Sequence, residues 1–393
     1  MRNGAKAGVA VAILVLLVVG VYSAMVLTRG STTTTSTSSS SSTSSTSSSS
    51  STSSTSSTSS SSSTSSSSST STTSNSIGVL NLGYFLNVNH APAILGVSSG
   101  SFQNALGPTT TLVATYYPSG TQEIPLLVKG TLDMAFIGPD PAITAANQTG
   151  WKGITILAGV ASGGAVFVVR NNSGITPGDN KTLGGKTFGA PGLGNTQDIA
   201  LRYYLMSNGY CLGGSGCVNI VDASNSNLVT MFAQGRIDGA WVPEPYGEIL
   251  MQQFGGKLFL DERSLWPGGN FSTAELVVRT QFLDQHPDVV RDIVSADVNE
   301  TIWINNHLSQ AETDLNDTLV AKTGQGYSQS VLNGAFARLA FTFDPLESSV
   351  LVQAEHAYAL GDLPAYDPES IAGIYNLSIL NSVLAAEGLP SIQ

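Results

Sequence analysis

Apolar positions fall into three patterns along this chain. Over residues 9–27 they form one uncharged, mostly aliphatic run, and over 31–74 they vanish, every position there being serine or threonine. From Ile77 to Gln393 short dense apolar runs alternate with apolar residues at helical spacing. The dense runs have the length of buried strands, and they predict strands over 79–85, 112–117, 132–137, 154–160, 166–169, 186–190, 218–221, 237–242, 258–260 and 275–279. A helix over 91–100 follows the first strand, with Pro92 in its first turn. After the last strand the spacing turns helical, over 286–307, 328–341, 345–360 and 371–387. This alternation is that of an α/β protein.

One pattern occurs twice. SGTQEIPLLVKGTLDMAFIGPDP begins at Ser119, and SNSNLVTMFAQGRIDGAWVPEPY begins 105 residues later at Ser224. Gly130 matches Gly235, Asp133 matches Asp238 and Phe136 matches Trp241. After a slip of one residue, Asp140-Pro141 matches Glu244-Pro245. Each copy reads as an apolar helical face (Leu126, Leu127 and Val128, or Val229, Met231 and Phe232), a glycine stop, a buried strand and a proline-marked loop. Two such units predict two α/β lobes, each with a parallel sheet, over 77–164 plus 271–393 and over 165–270. Ligands of such sheets bind beyond the carboxyl ends of the strands. That places Gly138, Asp140 and Pro141 with Pro243, Glu244 and Tyr246 at a cleft between the lobes.

The first two patterns set the expected location. Nineteen apolar residues rise about 29 Å, enough to cross a bilayer core, so residues 1–29 are expected to be a retained membrane anchor, with a cleaved secretory signal as the alternative. No cysteine lies near this segment, which excludes a lipid anchor of bacterial type. Residues 30–76 are expected to be a disordered Ser/Thr tether, since they have almost nothing apolar to bury. Beyond it, 317 residues carry 13 basic against 27 acidic side chains, which argues against nucleic acid or an anionic membrane surface as partner. Cys211 and Cys217 are the only cysteines; lacking a second pair or a nearby histidine, they read as an extracellular disulfide rather than a metal site. Sequons at Asn147, Asn171, Asn180, Asn270, Asn299, Asn316 and Asn376 fit a glycosylatable surface.

Seven stretches taken together resemble a known family. GYFLNVNHAPAILG, YYPSGTQEI, DMAFIGPDP, VFVVR, LGGKTFGAPGLGNTQD, GRIDGAWVPEPY and ELVVRTQFLDQHPDVVRDIV look, in this order over about 79–305, like the solute-binding proteins of ABC importers for nitrate, sulfonates and taurine. The resemblance implies a two-lobed periplasmic-binding-protein-like (type II) fold with two crossover segments, needing no cofactor. It would close on a small solute at the cell surface and present it to a membrane permease. Archaeal members of that family commonly carry an amino-terminal anchor and a Ser/Thr stalk. The resemblance also places His90, in the loop after the first strand, against the ligand. The ectodomain is expected to act as a monomer.

The cleft stretches contain no lysine or arginine, so an anion would be held by helix amino termini with hydroxyl and amide donors. Ser119, Gly120 and Thr121 from one lobe and Asn195, Thr196 and Gln197 from the other are the candidates, with plain helix capping as the competing reading. Asp140 and Glu244 would repel a bare anion and welcome an amine, favouring a zwitterion; Asp140, before Pro141, also reads as a helix cap. Trp241 reads as core, or as an aromatic wall of the site. Two enzyme motifs fail on context. Gly96-Val97-Ser98-Ser99-Gly100 lacks the preceding strand of a nucleophile elbow, and Gly185-Lys186-Thr187 lacks the leading glycine and the following helix of a phosphate loop. His90, His286, His307 and His356 show no metal-ligand spacing. An enzyme acting on a small sulfur compound or vitamin precursor, and a stalked adhesin, remain the alternatives.

Overall fold

The computed structural model describes residues 77–393, and the expected anchor (1–29) and tether (30–76) lie outside them. Among the described residues no helix is long and apolar enough to cross a membrane.

Two sheets organise these residues. The first runs β11-β4-β10-β3-β1-β2, with β1 Gly78–Tyr84, β2 Thr110–Tyr116, β3 Met134–Ile137, β4 Ile154–Gly163, β10 Ser272–Arg279 and β11 Leu339–Phe341. The second runs β7-β6-β8-β5-β9, with β5 Ala165–Val169, β6 Thr187–Ala190, β7 Asn219–Asp222, β8 Gly239–Pro243 and β9 Lys257–Asp261. The chain leaves the first sheet at Gly163-Gly164 (φ 78° and 74°) and returns between Asp261 and Ser272. Both sheets are mixed, which corrects the expectation of parallel sheets. β1 pairs in parallel with β2 and β3, and β6 with β7 and β8, but β10 runs antiparallel to β3 and β4, and β5 antiparallel to β8 and β9. β5 and β10 follow the crossings, where the chain arrives from the other sheet instead of through a helix, and β11 is antiparallel to β4 as well. Apolar runs carry no sign of strand direction, so the pattern could not show this.

The duplication extends to hydrogen bonds. In each copy the glycine after the helix has positive φ (Gly130 77°, Gly235 69°), where a side chain would be strained and a Cβ would meet an arginine guanidinium at 3.1 Å. That arginine is Arg279 in one copy and Arg170 in the other, and it pairs with the matched aspartate: Arg279 with Asp133 at 2.9 Å, Arg170 with Asp238 at 3.5 Å. Asp133 Oδ2 accepts the N–H of Asn81 in the middle of β1, and Asp238 Oδ2 that of Thr187 at the start of β6. Each carboxylate therefore joins three strands of its sheet.

Separate apolar clusters fill the two halves. Leu80, Leu82, Phe136, Leu276 and Val294 belong to the first; Phe167, Phe188, Trp241, Phe259 and Phe271 belong to the second. The carboxyl-terminal region differs from expectation in three places. The helix expected over 328–341 stops at Phe336 and the chain re-enters the first sheet as β11. The helix expected over 371–387 is two helices, Pro368–Ala372 and Ser378–Ala386. Leu308–Thr323 is a helix that sequence reading left unassigned. Cys211 and Cys217 are joined in a disulfide with their Cα atoms 5.0 Å apart.

Candidate ligand-binding site

Five helices of eight residues or more begin at one place between the halves. Ala91–Ser98, Gly120–Lys129 and Pro139–Gln148 come from the first half; Thr196–Ser207 and Asn225–Ala233 come from the second. Each follows the carboxyl end of a parallel strand, so its unpaired N–H groups lie beyond the sheet edge, carrying roughly half a positive charge per helix. The tips surround a cavity of about 30 Å³, close to the room one water needs. Of the residues singled out from sequence, His90, Ser119, Gly120, Gly138, Asn195, Thr196 and Gln197 line it. Thr121 sits just behind: its N–H donates to Asn195 Oδ1 of the other half at 3.2 Å, and its hydroxyl pairs with that of Ser119 at 3.0 Å. The halves touch again where Val88 N–H donates to the Glu244 carbonyl at 3.1 Å.

The contacts are close because the lining is small. A Cβ on Gly120 would lie 2.6 Å from Pro141 Cγ and 3.2 Å from Asn195 Oδ1, and one on Gly138 would lie 2.8 Å from Thr196 Oγ1. Glycine at both positions lets the helix tips approach the other half directly.

The cavity holds buried polar atoms that the protein itself does not satisfy. Asn87 Oδ1, Asn89 Oδ1, His90 Nδ1, Thr196 Oγ1 and Asn225 Oδ1 have no hydrogen-bond partner, although their residues line it. Leaving such atoms unpaired costs about 1–3 kcal/mol each. Grouped at one cavity, these atoms mark a candidate subsite.

No charged side chain lines the cavity. Burial lowers the His90 pKa to about 3, so the ring is a neutral imidazole; it lies against Phe85 with centroids 4.3 Å apart. The acidic residues in the first turns of these helices scarcely cancel the helix tips. Burial raises the pKa of Glu123 well above the carboxylate range and does the same at Asp140. Asp198 is paired with Arg202 at 2.6 Å.

Three of the candidates lie away from the cavity lining. Trp241 is fully buried in the second core, stacked on Phe167 with centroids 5.5 Å apart, and its indole N–H donates to Glu262 Oε2 at 2.6 Å. It faces away because strand side chains alternate, and neighbouring Val242 packs in the cluster on the opposite face of the sheet. Glu244 does not line the cavity either. Its carboxylate accepts the Glu248 N–H at 3.0 Å and lies 3.2 Å from Arg338 Nε, so the counter-ion proposed for a ligand amine is already taken up. Asp140 is buried within the start of its own helix and is not part of the lining. Sequence reading in turn missed Phe85, Asn87, Asn89, Asn225 and Thr273. The signal for Asn225 was available, since the duplication aligns it with Gly120. Asn87 and Asn89 flank Val88 in the same strand-to-helix loop as His90. Among the described residues no group of three or more His, Cys, Asp or Glu is placed to hold a metal ion.

Residues 78–315, more than half of the chain, match the NMT1-like family. The chain belongs to that family. A taurine-binding periplasmic protein of Escherichia coli K12 is 24% identical over 199 residues, which are 48% of this chain and 58% of that protein. The match thus spans less than two thirds of that relative's length. Among solved structures, the alkanesulfonate-binding protein of Xanthomonas axonopodis pv. citri, bound to MOPS, superposes with a TM-score of 0.61 at 17% identity, covering 77% of this chain and 99% of that one. The periplasmic nitrate-binding protein of Synechocystis PCC 6803 gives 0.64 at 16%, covering 80% and 91%. At these identities the likeness establishes the fold, an α/β periplasmic-binding-protein-like one. The family match and the named relatives agree with the resemblance read from the seven stretches.

Proposed function

We propose that this chain is an extracellular solute-binding protein that captures a small anion between two lobes and hands it to the permease of an ABC importer. One observation carries the reading: five helix amino termini converge on one cavity between two α/β halves, and no charged side chain is in its lining. Preorganised N–H groups in a site without water-exposed cations suit an oxyanion, which accepts hydrogen bonds from every side. The relatives named for taurine, alkanesulfonate and nitrate bind solutes of this kind. A catalytic role has no support in this lining, which offers a neutral His90 and no nucleophile paired with a base.

Entry requires the halves to part, because direct contacts such as Thr121 N–H to Asn195 Oδ1 already close the cavity. Rotation about the crossing at 162–165 and about the return segment at 268–272 would open it; Gly163, Gly164, Gly268 and Gly269 all have positive φ. The ligand then favours the closed arrangement by bonding to both halves. Residues 1–29 would hold the protein at the membrane and 30–76 would let it reach its permease. The test is a melting screen of the full-length chain with nitrate, bicarbonate, methanesulfonate, taurine and larger sulfonates. Saturable stabilisation following RT ln(1 + [L]/Kd) is expected for at least one anion, and a flat response to all of them would sink the reading.

A further inference from the structure

We propose that the protein has a second small-molecule site, beside the return crossing, which takes one flat, uncharged aromatic molecule and whose occupancy favours the arrangement with the halves together. The coupling, though not the site, rests on the opening motion proposed above. The site is a cavity of about 360 Å³ that shares no lining residue with the anion cavity. Pockets for small molecules run to roughly 300–1,000 Å³, so this one has room for a single compact molecule. Three parts of the fold wall it. Tyr203 and Tyr204 stand on the second-half helix Thr196–Ser207, whose amino terminus lines the anion cavity. Leu265 and Trp266 belong to the return segment, and Val352 and His356 to the helix Glu347–Ala359. That last helix is tied to the first half at the start of β10: Ser349 Oγ accepts the Ser272 N–H at 2.9 Å, and Gln353 Nε2 donates to the Ser272 carbonyl at 2.9 Å.

The lining is a set of rings held in place by other rings. Tyr203 stacks on His356 with centroids 3.6 Å apart, Trp266 stacks on Phe271 at 5.2 Å, and Tyr204 packs tilted against Trp241 at 5.6 Å. Leu265 and Val352, 47% and 38% exposed, form an open apolar rim. The polar side chains among these walls are largely engaged already. The Tyr204 hydroxyl donates to Asn180 Oδ1 at 2.6 Å, Asn208 Oδ1 accepts from Asn180 Nδ2 at 2.6 Å, and Glu262 Oε2 accepts the Trp241 indole N–H at 2.6 Å. Burial lowers the His356 pKa to about 4, so its ring is neutral. No lysine or arginine lines the cavity, which leaves an anion without a counter-ion, and a cation would have only the buried Glu262. Preset rings favour a flat apolar occupant through stacking and edge contacts. Such an occupant would touch the second-half helix, the return segment and the helix Glu347–Ala359 at once. The two helices already meet in one buried cluster through Ile199 and Val350. Parting the halves would draw them apart, so the occupant gains most when the halves are together.

Titration calorimetry of the full-length chain with 2-naphthol, cyclohexanol and benzyltrimethylammonium tests the site. Saturable binding of 2-naphthol is expected, at least about tenfold tighter than either of the others. Val352→Trp, at the exposed rim, fills the cavity and should weaken 2-naphthol at least about tenfold; Leu265→Ala should weaken it less, by about threefold. Phe254→Ala, in a different aromatic cleft, should leave it unchanged. Absence of 2-naphthol binding, binding that survives Val352→Trp, or equal or tighter binding of the cation would overturn the assignment. The coupling is read by amide hydrogen exchange at Val88 and Thr121, whose N–H groups donate across the halves. Saturating 2-naphthol should slow exchange there by about threefold or more in the unmodified chain and leave it unchanged in Val352→Trp. Unaltered rates with 2-naphthol bound would overturn the coupling and leave the site. None of these measurements uses an anion, so their failure leaves the anion-binding reading standing, and a flat anion screen leaves this site standing.

Discussion

The two copies of the helix-glycine-strand unit agree at one end and differ at the other. Below the strands they are near duplicates: Gly130 and Gly235 both cap in the left-handed region, and Asp133 and Asp238 both join an arginine to a backbone N–H of a neighbouring strand. Above the strands they separate. In the first copy the chain turns at Gly138 straight into the helix Pro139–Gln148, whose tip enters the cavity. In the second it runs on through Glu244-Pro245 into the helix Tyr246–Gln252, and Glu244 turns inward to a cluster with Arg338, Glu248 and Asp261. One end of the unit therefore builds the sheet in both halves, while the other has been put to two uses. In the first half it presents a helix amino terminus to the cavity. In the second it ties that half to the carboxyl-terminal region, beside Gly164, whose N–H donates to the Arg338 carbonyl.

The largest effect expected from this difference is at Arg338. Arg338→Ala leaves Glu248 and Asp261 without their shared cation, and removing one partner of such a partly buried charged pair costs about 1–3 kcal/mol; urea unfolding should show it, and a loss under about 0.5 kcal/mol would remove Arg338 from the account. Next comes pH. Burial raises the pKa of Glu244 to about 8 and that of Glu262 to about 7, and also raises those of Glu123, Asp140, Glu275 and Asp297. Each binds its proton more tightly folded than unfolded, so stability is greatest near the unfolded pKa of about 4.5 and declines as pH rises through the folded values. The melting temperature should fall by several degrees from pH 5 to pH 8, and a rise over that interval would contradict the burial of these groups.

At the cavity end, Gly120→Ala sets a methyl 2.6 Å from Pro141 Cγ, and ligand affinity should drop by about tenfold or more with the fold retained; unchanged affinity would place the ligand elsewhere. At the shared end, Gly130→Ala and Gly235→Ala should each cost about 1 kcal/mol, and nearly the same amount as each other. Unequal losses would show that the duplication is one of shape and not of energetics. The smallest change is expected for Asp140→Asn, within about 1 kcal/mol, because burial already favours the uncharged form of that carboxyl and the amide has its shape.

How much of the site was readable depended on whether a residue acts through its backbone or its side chain. Ser119, Gly120, Asn195, Thr196 and Gln197 mark helix starts after predicted strands, and helix starts follow from local sequence; all five line the cavity. Trp241 and Glu244 lie one step away from such a start. Their roles depend on which face of β8 they occupy and on whether Arg338, 94 positions further along than Glu244, arrives beside them. Nothing near Glu244 in sequence announces Arg338. The same limit applies to the strand Leu339–Phe341, too short for its apolar pattern to stand out and held as a strand by pairing with β4.

Local pattern by itself determined where the helices and most strands begin, that one unit is used twice, and that a cluster of helix amino termini free of basic residues would face a common gap. Apolar spacing, glycine stops and capping residues act over a few positions, so they can be read in order along the chain. The tertiary structure alone decided that the sheets are mixed, that Glu244 packs against Arg338, and that Asn87, Asn89 and Asn225 join the helix tips at one cavity. Those outcomes depend on segments brought together from both halves and the carboxyl-terminal helices. Which long-range neighbour reaches a side chain first is settled by packing.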